Sequence, residues 1–224
     1  MYQHIVDKKL FAHAPGKIVC VGRNYAEHAK ELNNPIPSQP ILFIKPATAA
    51  VNFAPQIVIP TQHGSCHHEL EIAVLIGKTL SKASETEVLP AIAGLGLGLD
   101  LTLRDLQQQL KDKSHPWERA KSFDSACPLS EFIRFDTAMD LQNISVQLQI
   151  NGEIRQTGNS RDMLFPIVPL IAEISQWFTL RPGDVVMTGT PAGVGALTVG
   201  DKLLAVLQDW LRIETTVIAA EQLS

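Results

Sequence analysis

The stretch His67-His68-Glu69-Leu70-Glu71-Ile72-Ala73-Val74-Leu75-Ile76-Gly77 restricts any fold that contains it. Side chains alternate faces along a strand, so Glu69 and Glu71 project one way while Leu70, Ile72, Val74 and Ile76 line the other face. Beyond Glu71 both faces are apolar, so this strand carries charge into a core. Two carboxylates about 7 Å apart beside a buried segment repel and lose hydration unless one is protonated or a cation sits between them. A metal ion meets that requirement. The ordinary alternative is a solvated Glu-x-Glu face, since charged residues mostly stay at the surface.

A third acid bears on that choice. Ala93-Gly94-Leu95-Gly96-Leu97-Gly98-Leu99-Asp100 alternates glycine with apolar residues, the pattern of a strand with one bare and one apolar face that ends in a carboxylate. The bare face invites close approach by another backbone or by a ligand. Residues 102–111 read as a helix that would fix Asp100 in space. Three carboxylates without thiolates suit a hard cation, Mg²⁺ or Mn²⁺ first and Ca²⁺ next, with water or substrate completing the shell. His67 and His68 keep zinc as a secondary alternative.

The rest of the chain supplies scaffold and several candidate functional groups. Ile18 to Val21 reads as a buried strand stopped by Gly22. Residues 24–32 have helical composition, ended by Asn33-Asn34-Pro35, and put His28 and Glu31 three apart on one face. A carboxylate beside an imidazole raises its basicity and could activate a water or move a proton; the alternative is a surface pair. The strand 41–44 delivers Lys45, either an anchor for an anion or a side chain that reaches solvent. Further strands are expected at 56–60, with a short helix at 84–92 despite Pro90. Lys121, in the compact segment 117–124, is either an electrostatic partner for developing negative charge or an exposed loop lysine.

Ile144 to Ile150 alternates, Asn151-Gly152 is a strong hairpin signal, and residues 153–156 return. Residues 163–180 read as a buried helix entered through Pro166 and Pro169. A strand at 184–187 leads into Thr188-Gly189-Thr190-Pro191-Ala192-Gly193-Val194-Gly195, whose amides could bind an anion. It lacks Gly-Lys-Ser/Thr, so it is no nucleotide P-loop, and the glycines at 94, 96 and 98 lack the dinucleotide spacing. Residues 202–217 provide closing strands.

Composition narrows the class. A chain of 224 residues with 45% hydrophobic and 19% charged residues is expected to form one soluble domain spanning 1–224. A net charge of −4 without a basic cluster gives no footprint for nucleic acid. No run approaches a membrane span, and the amino terminus lacks a secretory signal, so the mature chain is expected to begin here, without a membrane partner. Cys20, Cys66 and Cys127 are scattered without Cys-x-x-Cys, consistent with reduced thiols in a cytoplasm.

Six ordered motifs, Val21-Gly22-Arg23-Asn24-Tyr25, Phe43-Ile44-Lys45-Pro46, His67-His68-Glu69-Leu70-Glu71, Leu99-Asp100, Ala120-Lys121-Ser122-Phe123 and Thr188-Gly189-Thr190-Pro191, closely resemble the fumarylacetoacetate hydrolase family. The likeness is to its small acylpyruvase and oxaloacetate-processing branch and runs from about Lys17 almost to the carboxyl terminus. It implies an α+β, predominantly β fold, a rolled multilayer β structure with short peripheral helices, assembled as a homodimer. It also implies Mg²⁺ or Mn²⁺ held by Glu69, Glu71 and Asp100. By the same likeness Arg23, Lys45 and Thr190 would contact substrate, Gln107 and Lys121 would steady an enolate-like oxygen, and His28 and Glu31 would form the acid/base dyad of a lid.

The implied activity is metal-dependent chemistry on a small 2-oxo acid. The leading expectation is carbon–carbon hydrolysis of acylpyruvates to pyruvate and a carboxylic acid. Oxaloacetate tautomerisation or decarboxylation stands beside it, as does isomerisation or decarboxylation of unsaturated 2-oxo diacids. A metal-dependent oxo-acid binding protein is the non-catalytic alternative. A purely structural ion is disfavoured, because three carboxylates near a glycine-rich face leave coordination positions for substrate.

Overall fold

The computed structural model describes residues 2–32 and 35–220. Strands make up 39% and helices 20% of the chain, and the largest sheet curls, so the α+β, predominantly β expectation holds. That sheet has eight strands; seven follow the order Ile41–Lys45, Ile18–Gly22, Val185–Met187, Leu70–Ile76, Ile92–Leu99, Cys127–Leu129, Ala50–Asn52, with Ile133–Arg134 pairing beside Ile92–Leu99. A second sheet orders Glu153–Asn159, Ser145–Ile150, Lys202–Leu207, Leu211–Ala219 and Gln56–Ile59. A small sheet joins Thr102–Leu103, Cys66–His68 and Gly195–Ala196.

Leu70–Ile76 is buried along its whole length. Leu70, Ile72, Val74 and Ile76 enter the cluster that includes Val146, Leu148, Leu203 and Ala205 of the second sheet. Ala73 and Leu75 face the opposite cluster with Ile18, Val185, Met187 and Phe132. The alternation read from sequence therefore separates two cores, and Glu71 lies on the side of Ala73 and Leu75.

The glycine-rich strand lies directly alongside, with Glu71 opposite Gly98, Ala73 opposite Gly96 and Leu75 opposite Gly94. Protein, not ligand, fills its bare face. A Cβ at Gly96 would meet Ser130 Oγ at 2.8 Å and Phe132 at 3.0 Å, and one at Gly98 would meet Met187 at 2.6 Å. Of the two close approaches expected on this face, by another backbone or by a ligand, the structure has the first: residues 129–133 cross over these glycines.

Helix limits shift where tertiary hydrogen bonds capture the ends. Thr102 and Leu103 pair with His67 and Cys66, so the helix expected from 102 begins later and spans Arg104–Asp112. The 84–92 helix has a Ser84 capping box over Glu85–Val88, then a single 3₁₀ turn at Leu89–Ala91 that accommodates Pro90. The 163–180 helix narrows to Ile167–Trp177, because Asn24 holds Leu164 and Phe165 in a non-helical bend ahead of Pro166. Ile167, Leu170, Ile171 and Ile174 form its buried stripe. The amino-terminal helix is Ala26–Glu31; its expected stop at Asn33-Asn34 falls outside the described residues.

Candidate active site

The carboxylates meet where two central strands end together. Leu70 lies opposite Leu99, so Glu69 and Asp100 are neighbours across the ladder, joined by Asp100 N–H donating to Glu69 O at 2.9 Å. Glu71 follows on the same face as Glu69. One carboxylate oxygen from each of Glu69, Glu71 and Asp100 lies within 4.8 Å of the others, and the residues are only 5%, 2% and 2% exposed.

Buried like charges need compensation, and three cations supply part of it. Lys121 Nζ lies 2.7 Å from Glu69 Oε2 and 2.6 Å from Asp100 Oδ2. Arg104 donates to Glu69 Oε1 through Nη2 and to Gln107 Oε1 through Nη1 at 2.7 Å. Lys45 Nζ lies 2.8 Å from Asp100 Oδ1, out of hydrogen-bonding alignment, and also donates to the carbonyls of Leu101 and Lys121. Burial alone would raise the Glu69 carboxyl, but Lys121 and Arg104 outweigh it and hold it well below the usual carboxylate range. Burial likewise penalises the Lys121 ammonium, yet Asp100 and Glu69 raise its pKa above the ordinary lysine value.

Glu71 has no such partner. Burial first, then the charge of Asp100, push its carboxyl well above the usual range, against one hydrogen bond from Gly189 N at 2.7 Å. A carboxyl whose ionised form is left uncompensated beside two carboxylates, with Asp100 Oδ1 left without a hydrogen bond, fits a hard divalent cation bound by oxygen. Neither histidine of the motif joins that trio. His68 Nδ1 donates to Gln156 Oε1 at 2.9 Å, and burial lowers the pKa of both imidazoles.

The remaining expected groups sit around a cavity above the carboxylates. His28, 5% exposed, lines it and donates from Nδ1 to Glu31 Oε2 at 3.3 Å. Glu31 also accepts from Gly193 N at 3.0 Å, so the 188–195 loop spends its amides on the protein's own acids, Glu71 and Glu31. Arg23 lines the cavity at φ +64°, a strained backbone for a non-glycine residue at the joint between strand and helix. Gln107 and Thr190 line it as well. The cavity is partly open and has a free volume of about 40 Å³, room for a few waters.

Two lysine readings are corrected. Lys121 is no exposed loop residue: the short helix Glu118–Lys121 buries it against Glu69 and Asp100. Lys45 is 0% exposed, so the solvent alternative fails, and it stands behind Asp100 rather than among the lining residues expected to touch substrate. The surface-pair alternative for His28 also fails on its burial.

Gln107 was expected at the site, but Arg104, Lys111, Trp117 and Gln156 were not singled out by sequence. Arg104, Gln107 and Lys111 occupy positions i, i+3 and i+7 of one helix and line the same cavity, a periodicity visible in the chain once Asp100 is given weight. Trp117 adds an aromatic wall. Gln156, 1% exposed, accepts from Leu70 N as well as His68, and donates to Thr190 Oγ1 at 2.7 Å and Pro191 O at 2.9 Å. Thr190 Oγ1 in turn donates to Leu70 O at 2.9 Å, so this glutamine fixes the orientation of the threonine hydroxyl.

Comparison with known proteins agrees with this geometry. The fumarylacetoacetate (FAA) hydrolase C-terminal family matches residues 17–219. An Escherichia coli protein described as oxaloacetate tautomerase YcgM is 52% identical over 205 residues, covering 91% of this chain and 94% of the relative. The crystal structure of a fumarylacetoacetate isomerase/hydrolase-like protein from Oleispira antarctica is similar at TM-score 0.95 and 60% identity, covering 97% and 100% of the two chains. Fumarylpyruvate hydrolase from Pseudomonas aeruginosa, in complex with Mn²⁺ and pyruvate, is similar at TM-score 0.90 and 31% identity, covering 97% and 96%.

Proposed function

The chain belongs to the fumarylacetoacetate hydrolase family, and from that premise we propose that it is a Mg²⁺- or Mn²⁺-dependent tautomerase of oxaloacetate. The observation that carries this reading is the buried trio Glu69, Glu71 and Asp100 beneath a small cavity that His28 and Lys121 also face. The E. coli relative supports the choice of oxaloacetate over acylpyruvate, which the sequence alone had placed first. A divalent ion held by the three carboxylates, with Ca²⁺ as a weaker substitute, supplies Lewis-acid stabilisation of enolate character at the substrate's C2 oxygen.

The chain's own residues do the rest. Glu31 fixes the His28 ring through Nδ1, which leaves Nε2 as the base for a proton on C3. As that proton leaves, negative charge grows on the C2 oxygen, where the Lys121 ammonium and the Gln107 amide hydrogens stabilise it. The His28 imidazolium then returns the proton to that oxygen, completing keto-to-enol exchange; the reverse sequence forms the ketone. Arg23 holds the substrate, with Thr190 forming part of the cavity wall beside it.

A second reading keeps one observation in its favour. The His28–Glu31 pair is also suited to activating a water against a distal carbonyl, which would hydrolyse an acylpyruvate to pyruvate and a carboxylic acid. Proton NMR separates these reactions on oxaloacetate, acetylpyruvate and a longer unsaturated 2-oxo diacid, with chelated and Mg²⁺-restored protein. The tautomerase reading expects metal-restored acceleration of oxaloacetate keto–enol exchange without acetate from acetylpyruvate. Metal-restored acetate would move the assignment to hydrolysis, and binding without any turnover would leave only an oxo-acid binding protein.

We further propose a homodimer in the cytoplasm, on family likeness and on three buried free cysteines. Sedimentation at the mass of a single 24.5 kDa chain would reject the dimer. Among the described residues no helix is long and apolar enough to cross a membrane.

A further inference from the structure

The charges around the cavity do not come out even. Lys45, Lys121 and Arg104 are each committed to the carboxylate trio. Two more cations line the same cavity, Arg23 and Lys111, and neither side chain has a hydrogen bond or ion pair within the described residues. Three carboxylates against three committed cations are formally neutral, so a divalent ion and two spare cations leave a surplus of positive charge. A substrate with a single carboxylate uses one of the spare cations. The other then lacks a counterpart.

Lys111 is placed to serve a second carboxylate. It lies seven residues after Arg104, about 10 Å along the helix axis, on the same face as Arg104 and Gln107. Side chains on a helix lean towards its amino terminus, so the Lys111 stem runs back over Gln107 towards the carboxylates. Its ammonium rests over the Trp117 ring, 5.4 Å from the centroid. Trp117 meets Phe43 edge-on at 6.2 Å, and Lys121 Nζ lies 5.1 Å from the Phe43 centroid. The aromatic pair thus separates an inner lysine, bound to the trio, from an outer one with no acid of its own. Half-burial and then Arg23, Arg104 and Lys121 lower the Lys111 pKa, and an incoming anion would relieve that repulsion.

We propose that Lys111 is a specificity-determining residue that binds the distal carboxylate of a four-carbon 2-oxo dicarboxylate. This rests on the tautomerase reading of the same site and narrows its substrate class to short dianions whose second carboxylate lies away from the 2-oxo acid head.

Calorimetry on Mg²⁺-loaded protein tests this with two ligands of equal charge. Oxalate carries both carboxylates at the chelating head, whereas 3,3-difluoro-oxaloacetate, which cannot enolise, carries one at the distal end. Lys111→Met keeps the stem against Trp117 and removes the charge; Lys111→Arg keeps the charge. The expected result is a loss of at least tenfold in affinity for difluoro-oxaloacetate in Lys111→Met, less than threefold for oxalate, and substantial recovery in Lys111→Arg. In turnover, Lys111→Met should raise KM for oxaloacetate more than it lowers kcat. Equal losses for both ligands, or none for difluoro-oxaloacetate, would overturn the assignment even if wild-type tautomerisation is intact. If the ligands are discriminated as expected but oxaloacetate exchange is not accelerated, the reaction assignment fails and the Lys111 assignment stands.

Discussion

Glu71 is the acid of the trio with the least protein compensation. Its carboxyl is pushed well above the ordinary carboxylate range by burial and by Asp100. A group whose folded pKa exceeds its unfolded value favours the fold fully below the unfolded pKa, and that contribution disappears as pH rises through the folded one. Chelated wild-type protein should therefore lose stability from Glu71 as pH climbs above the ordinary carboxylate range. Glu71→Gln has nothing to titrate, and its amide oxygen can still accept from Gly189 N. In chelator it should melt no lower than wild type, with a gap in its favour that widens between pH 5 and pH 8; melting below wild type throughout would contradict this. Lys45→Met tests the opposite residue type. Removing a fully buried ammonium from Asp100 and two carbonyls should cost about 3–5 kcal/mol, roughly 6–20 °C of melting temperature, measured by calorimetry. A change under 2 °C would show that Lys121 alone suffices for Asp100. The acids were legible in sequence because a strand period and an apolar continuation are local signals. The burial of Lys45 and Lys121 was not, since a lysine stem reaches solvent from most positions and its partner Asp100 is far away in the chain.

At the level of elements, the 26–31 helix and the glycine strand show how function depends on contacts distant in sequence. A six-residue helix without a side-chain cap is marginal on its own. It is fastened by Glu31 to Gly193 N, by the Tyr25–Met163 bridge and by the hydrogen bonds of Asn24 to Phe165 and Thr188. Glu31→Ala should therefore speed amide exchange in residues 24–32 and 188–195 together, with no change in 70–76, when followed by mass spectrometry. It should also lower kcat by about 10²-fold or more through loss of His28 orientation. Faster exchange in only one of the two segments would mean the carboxylate does not couple them. In the strand Ile92–Leu99, Gly96→Ala should destabilise by about 1–3 kcal/mol through overpacking. Its Cβ meets Ser130, whose Oγ accepts from Leu97 N at 2.9 Å, and Phe132. The glycine alternation was readable, and so was the close approach it demands. Which segment approaches was not, because residues 129–133 carry no pattern that names their target.

For the whole molecule, the proposed ion sits where several elements converge. Glu69 and Glu71 lead into Leu70–Ile76 in the interior of the eight-stranded sheet, and Asp100 ends Ile92–Leu99 beside it. The loop at Gly189, the helix beginning at Arg104 and the Glu118–Lys121 turn all hydrogen-bond to these acids. Anything that binds this assembled trio and not the unfolded chain stabilises by mass action, about 2.7 kcal/mol at a free concentration 100 times Kd. For a chain of this size that is roughly 5–11 °C of melting temperature. Mn²⁺ added to chelated protein should raise the melting temperature by that order, Mg²⁺ similarly at higher concentration, and Ca²⁺ less, since its larger shell fits a tight trio poorly. Because Glu71 must release its proton to coordinate, the Mn²⁺ effect should weaken as pH falls. Glu71→Gln is the control: with apo stability kept and one ligand charge removed, its melting temperature should respond to Mn²⁺ by less than half the wild-type shift. If wild type and Glu71→Gln respond equally, the ion is held elsewhere. Should neither respond, Lys45, Lys121 and Arg104 already satisfy the acids, and the function must be explained without a metal.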